Sequence, residues 1–257
     1  MSQTAKAFEN GKALIAFLTA GVPSMEDTID FVLKAEKAGA TLVEIGVPFS
    51  DPVADGPVIM EADVKALQNH IHLPQVMGMV KTLRTKTAIP IVLFTYFNPI
   101  FKYPAETFFK EAKEIGIDGV IIPDLPYEEQ EEIRPLADEN GVDIIQIVAP
   151  TTEERIRAIV KDATGFIYVM SPAGAPDKRS SVLTNPKDII RVIKETTDTP
   201  VVIDFDSQPP TQENETAGIT DGLILSSRLV DLINKNGKEA GPLIADYIAG
   251  LKAGMEK

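Results

Sequence analysis

The chain has no cysteine, only two histidines, and far fewer basic residues (25) than acidic ones (38) among its 257 residues. Without cysteine there is no disulfide, no thiolate metal site and no thiol nucleophile, although this absence bears only weakly on redox compartment. A net charge of −13 with scattered basic residues lacks the electrostatic footprint of a nucleic-acid binder and repels an anionic membrane, so the expected partners are small molecules or proteins. The opening MSQTAKAFENGK has no apolar centre of the signal-peptide kind, and no apolar run approaches the roughly 18 residues of a membrane span. A cytoplasmic protein is the expectation. Nor does any Pro/Gly/Ser-rich linker divide the chain, so its 44% hydrophobic content is expected to form one core in a single domain, residues 1–257.

What is present is repetition. Apolar runs rich in Val and Ile recur at 13–20, 41–47, 89–96, 119–124, 143–150, 165–171, 200–206 and 221–227, separated by stretches of helical spacing such as MEDTIDFVLKAEKAG, AETFFKEAKEIG and PKDIIRVIKETTD. Ser24 followed by Asp27 reads as a helix start, and Gly39, Gly116 and Gly141 stand where helices should end. Continuously apolar strands alternating with helices imply an α/β fold with a parallel sheet covered by helices. At this length the eight-stranded β/α (TIM) barrel is expected, with a doubly wound open sheet as the alternative. Barrels of this kind place their chemistry at the carboxyl ends of the strands.

Three stretches carry polar groups to that end. Glu44 interrupts the second apolar run; a carboxylate among apolar neighbours has a raised pKa, which suits a group that gives and takes a proton, although a structural, hydrogen-bonded glutamate occupies the same kind of position. Asp51 and Asp55 follow in VPFSDPVADGP, a proline-stiffened loop in which aspartate also serves turns. The seventh run ends in PVVIDFDSQPP, where Asp204 and Asp206 leave the strand on one side with Phe205 opposite. His70 and His72 in QNHIHLP supply at most half of a metal site and are expected to be a surface pair; no metal is expected.

VEIGVPFSDPVADGP resembles the signature of the tryptophan synthase α subunit family, and AFLTAGVPS, FTYFNPI, GVIIPDLPYEE and IVAPTTEERI resemble the same family in the same order. The resemblance implies a TIM barrel and a carbon–carbon lyase of tryptophan biosynthesis: retro-aldol cleavage of indole-3-glycerol phosphate to indole and glyceraldehyde 3-phosphate. It also implies a partner β subunit carrying pyridoxal phosphate, and no cofactor in this chain. Carried over by position, Glu44 matches the acid/base that protonates the indole carbon, and Asp55 the carboxylate that stabilises the indole N–H. Phe17, Phe94, Tyr96, Ile121, Ile147 and Tyr168 match the lining of the indole pocket, while the loops around Asp51 and FNPIF match the face turned to the β subunit.

Three loops depart from the family pattern. The family's S-x-T-G-V-T-G after strand six reads here Ser171-Pro172-Ala173-Gly174-Ala175-Pro176-Asp177. Its G-F-G-I-S after strand seven reads Asp204-Phe205-Asp206-Ser207-Gln208, and its V-G-S-A after strand eight reads Leu225-Ser226-Ser227-Arg228. Of the matched phosphate-binding positions Gly174 and Ser227 remain. Asp177, Asp204, Asp206 and Ser226 alter the rest, so phosphate is expected to bind weakly. Changes gathered in three loops over an intact scaffold read as an altered ligand, by divergence or by engineering. Two alternatives to the lyase therefore stand: a rebuilt barrel whose mouth carboxylates meet a neutral or cationic ligand, for instance to abstract a proton, and a non-catalytic partner of a β subunit.

Overall fold

In the computed structural model, residues 2–170, 181–205 and 218–255 are described. The first apolar run becomes β1 (Ala13–Thr19), buried along its whole length. Ser24 then caps α1 (Met25–Ala38), its Oγ accepting the Asp27 N–H at 3.1 Å, and Gly39 ends the helix at a φ of 115° that residues with a Cβ rarely adopt. In chain order follow β2 (Leu42–Gly46), α2 (Pro57–Gln68), α3 (Leu73–Leu83), β3 (Ile91–Phe94), α4 (Phe97–Lys102), α5 (Ala105–Ile115), β4 (Gly119–Ile121), α6 (Arg134–Asn140), β5 (Asp143–Ile144), β6 (Gln146–Val148), β7 (Thr151–Thr152), α7 (Glu153–Val160), β8 (Ile167–Val169), β9 (Val182–Leu183), α8 (Pro186–Thr196), β10 (Val201–Asp204), β11 (Gly222–Leu225), α9 (Ser227–Asn236) and α10 (Ala240–Met255).

The main sheet is parallel throughout and runs β5-β4-β3-β2-β1-β11-β10-β8-β6. Its two ends are neighbours in sequence. Ile145, the single residue between β5 and β6, donates its N–H to the Val120 carbonyl at 2.9 Å, so β5 and β6 are two parts of one stave. Among the described residues the sheet is thus a closed barrel of eight staves, and the open-sheet alternative falls because no edge is left free. All eight apolar runs supply a stave. The expected strand over 143–150 is real but interrupted, its first half bonded to β4 and its second to β8. A small antiparallel pair, β7 with β9, lies outside the barrel sheet.

Register fixes which residues share the interior. Side chains alternate along each stave, and directly paired residues in a parallel ladder lie on one side. Phe17, Glu44 and Val92 pair in one row, and Thr19, Gly46, Phe94 and Ile121 in the next toward the carboxyl end. Ile147, Tyr168 and Val202 form a row on the far side, and Asp204 pairs with Ile224. Gly46 leaves room for the Phe17 ring, since a Cβ there would stand 2.7 Å from Phe17 Cζ.

Candidate active site

Glu44 is carried on the middle of β2 and is 1% exposed. Its Oε2 is buried without a hydrogen-bond partner. Burial, reinforced by the charges of Asp204 and Asp55, pushes its pKa up from 4.5 to about 8. At neutral pH it is therefore protonated, a proton donor aimed into the barrel. A buried carboxyl group with one unpartnered oxygen differs from the fully hydrogen-bonded glutamate of the structural alternative.

Asp55 arrives from the loop between β2 and α2. Its Oδ2 accepts from the Tyr96 hydroxyl at 2.8 Å, and that hydroxyl in turn accepts the Ala54 N–H at 2.9 Å. The Tyr96 ring stacks on Phe49, with centroids 4.8 Å apart and planes at 24°. Tyr96 thus holds both ends of the loop that carries Asp55. Burial raises the Asp55 pKa to about 6, with the Tyr96 hydrogen bond opposing the rise. Near neutrality, then, one carboxyl is neutral and the other charged, the division of labour required of an acid and an electrostatic stabiliser.

The apolar side is set by Phe17 and Phe94, packed edge to face at 5.8 Å, with Phe94 also edge-on to Tyr96 at 6.3 Å. Ile121, Ile147 and Tyr168 occupy inward rows on β4, β6 and β8. The structure therefore brings together the residues named from the sequence as pocket and acid/base candidates. Across the barrel, half-buried Asp204 ends β10, and its Oδ2 accepts from Ser226 Oγ at 2.9 Å and meets the Tyr168 hydroxyl at 3.5 Å. Ser226 is buried and Ser227 half-buried at the start of α9. Gly174, Asp177 and Asp206 lie outside the described residues. His70 and His72 are both exposed, and His70 takes a φ of 59°, which explains why glycine suits that position. Among the described residues no cluster of three or more His, Cys, Asp or Glu could hold a metal.

One acid escaped the sequence reading. Asp63 on α2 is 4% exposed, and burial, then the charge of Asp55, pushes its pKa up to about 8 against an opposing hydrogen bond with the Phe49 backbone. The available signal was an acid inside the buried stripe Ile59, Ala62, Ala66 of an amphipathic helix.

The sequence matches the family model described as tryptophan synthase alpha chain over residues 3–254. The chain belongs to this family. It is 40% identical over 256 residues to the tryptophan synthase alpha chain of Lacticaseibacillus casei, covering 100% of this chain and 96% of the relative. To that of Alkaliphilus metalliredigens it is 44% identical over 222 residues, 86% of this chain and 84% of the relative. Among solved structures it superposes with TM-score 0.83 on a chain of the tryptophan synthase α2β2 complex from Pyrococcus furiosus, at 33% identity over 93% of this chain and 97% of that one. A structure from Aquifex aeolicus VF5 gives 0.87 at 34% identity, with 99% of both chains covered. As a member of this family, the chain is a TIM-barrel lyase of tryptophan biosynthesis.

Proposed function

We propose that this chain cleaves indole-3-glycerol phosphate to indole and glyceraldehyde 3-phosphate, with Glu44 as acid and base and Asp55 as stabiliser. Glu44 gives its proton to the ring carbon that bears the side chain, and Asp55 stabilises the positive charge that this places on the indole nitrogen. The hydroxyl on the adjacent side-chain carbon then returns a proton to Glu44. Its O–H electrons become the aldehyde C=O, and the C–C bond electrons flow back into the ring. No oxidant or cofactor is needed. The observation that carries this reading is a fully buried Glu44 with an unpartnered oxygen beside an apolar slot, opposed by an ionised Asp55. Loss of general acid catalysis costs roughly two to four orders of magnitude, so Glu44→Gln should abolish indole release on that scale; a variant retaining more than about a tenth of the activity would overturn the assignment.

Phosphate is held weakly in this reading, because Asp204 places a carboxylate after the seventh stave, where barrels of this class commonly seat phosphate. The partner is a β subunit. The Pyrococcus furiosus relative is described as a mutually activating α2β2 complex, and here Val53 and Phe101 are 84% and 70% exposed, while the loops after β2 and β3 also line a groove of about 370 Å³ with Phe49, Asn98 and Tyr103, opposite Leu73 and Pro74. Exposed apolar groups around a groove mark a protein contact. The chain works in the cytoplasm in this reading. Among the described residues no helix is long and apolar enough to cross a membrane.

A further inference from the structure

Thr19 closes a strand that is otherwise wholly apolar. β1 reads ALIAFLT and is buried throughout, and its last residue is 2% exposed. The Thr19 side chain is on the inward face, because it stands two residues beyond Phe17 and pairs with Gly46, in the row that continues to Phe94 and Ile121. Its Oγ1 is buried without a hydrogen-bond partner, as is Glu44 Oε2; among the described residues these are the two buried side-chain polar atoms left so.

Strand propensity does not explain the hydroxyl. Valine has the same branched shape and the same preference for a strand, and it would bury no unbonded oxygen. The residues of the row offer that oxygen nothing: Gly46 has no side chain, Phe94 and Ile121 are apolar, and the Phe17 ring fills the space over Gly46, where a Cβ would stand 2.7 Å from its Cζ. Buried polar groups in a native fold are nearly always bonded, so a threonine on this row calls for a partner that enters the pocket the row lines.

Position decides which group it meets. Glu44 lies on the adjacent stave, two residues nearer the amino end, since Phe17 pairs with Glu44 and Thr19 with Gly46. At about 3.3 Å per residue along a strand and about 4.8 Å between strands, the two Cα atoms are about 8 Å apart. Both side chains turn inward, and two hydrogen bonds of about 2.8 Å, joined through hydroxyls on neighbouring carbons, span such a gap. The proposed substrate carries that pair. Its first side-chain hydroxyl returns a proton to Glu44, and the next carbon bears a second hydroxyl.

Resting on the lyase reading above, we infer that Thr19 is a substrate-binding residue that holds the middle hydroxyl of the glycerol side chain. With that hydroxyl held at the end of β1 and the ring against Phe17 and Phe94, rotation about the first side-chain carbon is fixed and the reacting hydroxyl faces Glu44. Thr19 makes and breaks no covalent bond. It selects a vicinal diol over an alkyl chain and orients it.

The test is calorimetry on the full chain carrying Glu44→Gln, so that ligands bind without turnover. It compares indole-3-glycerol phosphate, the analogue lacking only the middle hydroxyl, and indolepropanol phosphate, which lacks both side-chain hydroxyls. Adding Thr19→Val should weaken the glycerol compound by about fivefold to tenfold, as for one lost hydrogen bond, and leave indolepropanol phosphate within about twofold. Loss of the middle hydroxyl should cost the same factor where Thr19 is present and nothing in Thr19→Val, while Thr19→Ser should keep the discrimination. Equal weakening of all three ligands by Thr19→Val, the result of a packing role alone, would overturn the inference, as would a middle-hydroxyl penalty that persists in that variant. The comparison with Thr19 intact needs no variant at that position to fold, and a middle hydroxyl without effect there overturns the inference as well. Indole release by the chain with Glu44 in place keeps the two readings apart. Discrimination among the ligands without indole release defeats the lyase and leaves Thr19 standing, whereas indole release without discrimination does the reverse.

Discussion

Replacing Glu44 by glutamine removes a proton-binding group while keeping its shape, and the effect on stability should depend on pH in a calculable way. In the unfolded chain Glu44 ionises near 4.5, and in the fold near 8. Between those values the native state keeps a proton that the unfolded state has lost, so stability falls as pH rises and levels off above the folded value. A gap of about three and a half pH units at about 1.4 kcal/mol each amounts to about 5 kcal/mol, an upper figure for a fully buried group. Glutamine carries no such penalty. Urea unfolding of both proteins from about pH 5 to about pH 9 should therefore show the variant gaining on the native chain by up to about 5 kcal/mol across that range, or roughly 10–20 °C in melting temperature for a chain of this size. Asp55 and Asp63 titrate in the same interval, but they are present in both proteins, so the difference isolates Glu44. A stability difference at about pH 9 that matches the one at about pH 5 to within about 1 kcal/mol would refute this, because Glu44 would then be ionised in the fold as readily as in water.

Other outcomes follow from the same geometry. Activity needs Asp55 charged and Glu44 neutral, so kcat/KM should be bell-shaped, rising near pH 6 and falling near pH 8. Tyr96→Phe should shift the acidic limb upward, because its hydroxyl favours ionised Asp55, and should cost about 1–3 kcal/mol by leaving the Ala54 N–H unpaired; titration of kcat/KM and of urea stability checks both. Arg84→Met should destabilise by about 3 kcal/mol with KM unchanged, since Arg84 pairs with Asp118, whose Oδ2 also accepts the Ile91 N–H, at the amino end of the barrel. Phe101→Asp should weaken binding to a β subunit by at least roughly tenfold in a pull-down titration while leaving the melting temperature within about 2 °C.

Much of the architecture was legible because local chemistry and global fold agree. Buried parallel strands must be apolar on both faces, so the eight runs announced themselves, and Ser24, Gly39, Gly116 and Gly141 sit at helix ends with the geometry their residue types favour. Glu44 stood out for the same reason, as a charge where only apolar residues belong. Membership of the tryptophan synthase alpha chain family was likewise written in long motifs. The break at Ile145 was not legible, because it arises from two staves competing for one strand as the barrel closes, and nothing in an apolar run records which neighbour each residue will bond.

The sequence by itself determined which residues are inside, in what order, and which ionisable groups interrupt them, since burial and periodicity act over a few residues. Only the tertiary structure decided which of those groups meet. Tyr96 reaches the Asp55 loop, the charges of Asp204 and Asp55 bear on Glu44, Ser226 is spent on Asp204, and Thr19 is left open. The reason is physical: electrostatic and hydrogen-bonding energies depend on distance through space, and closing eight staves into a ring makes neighbours of residues far apart along the chain.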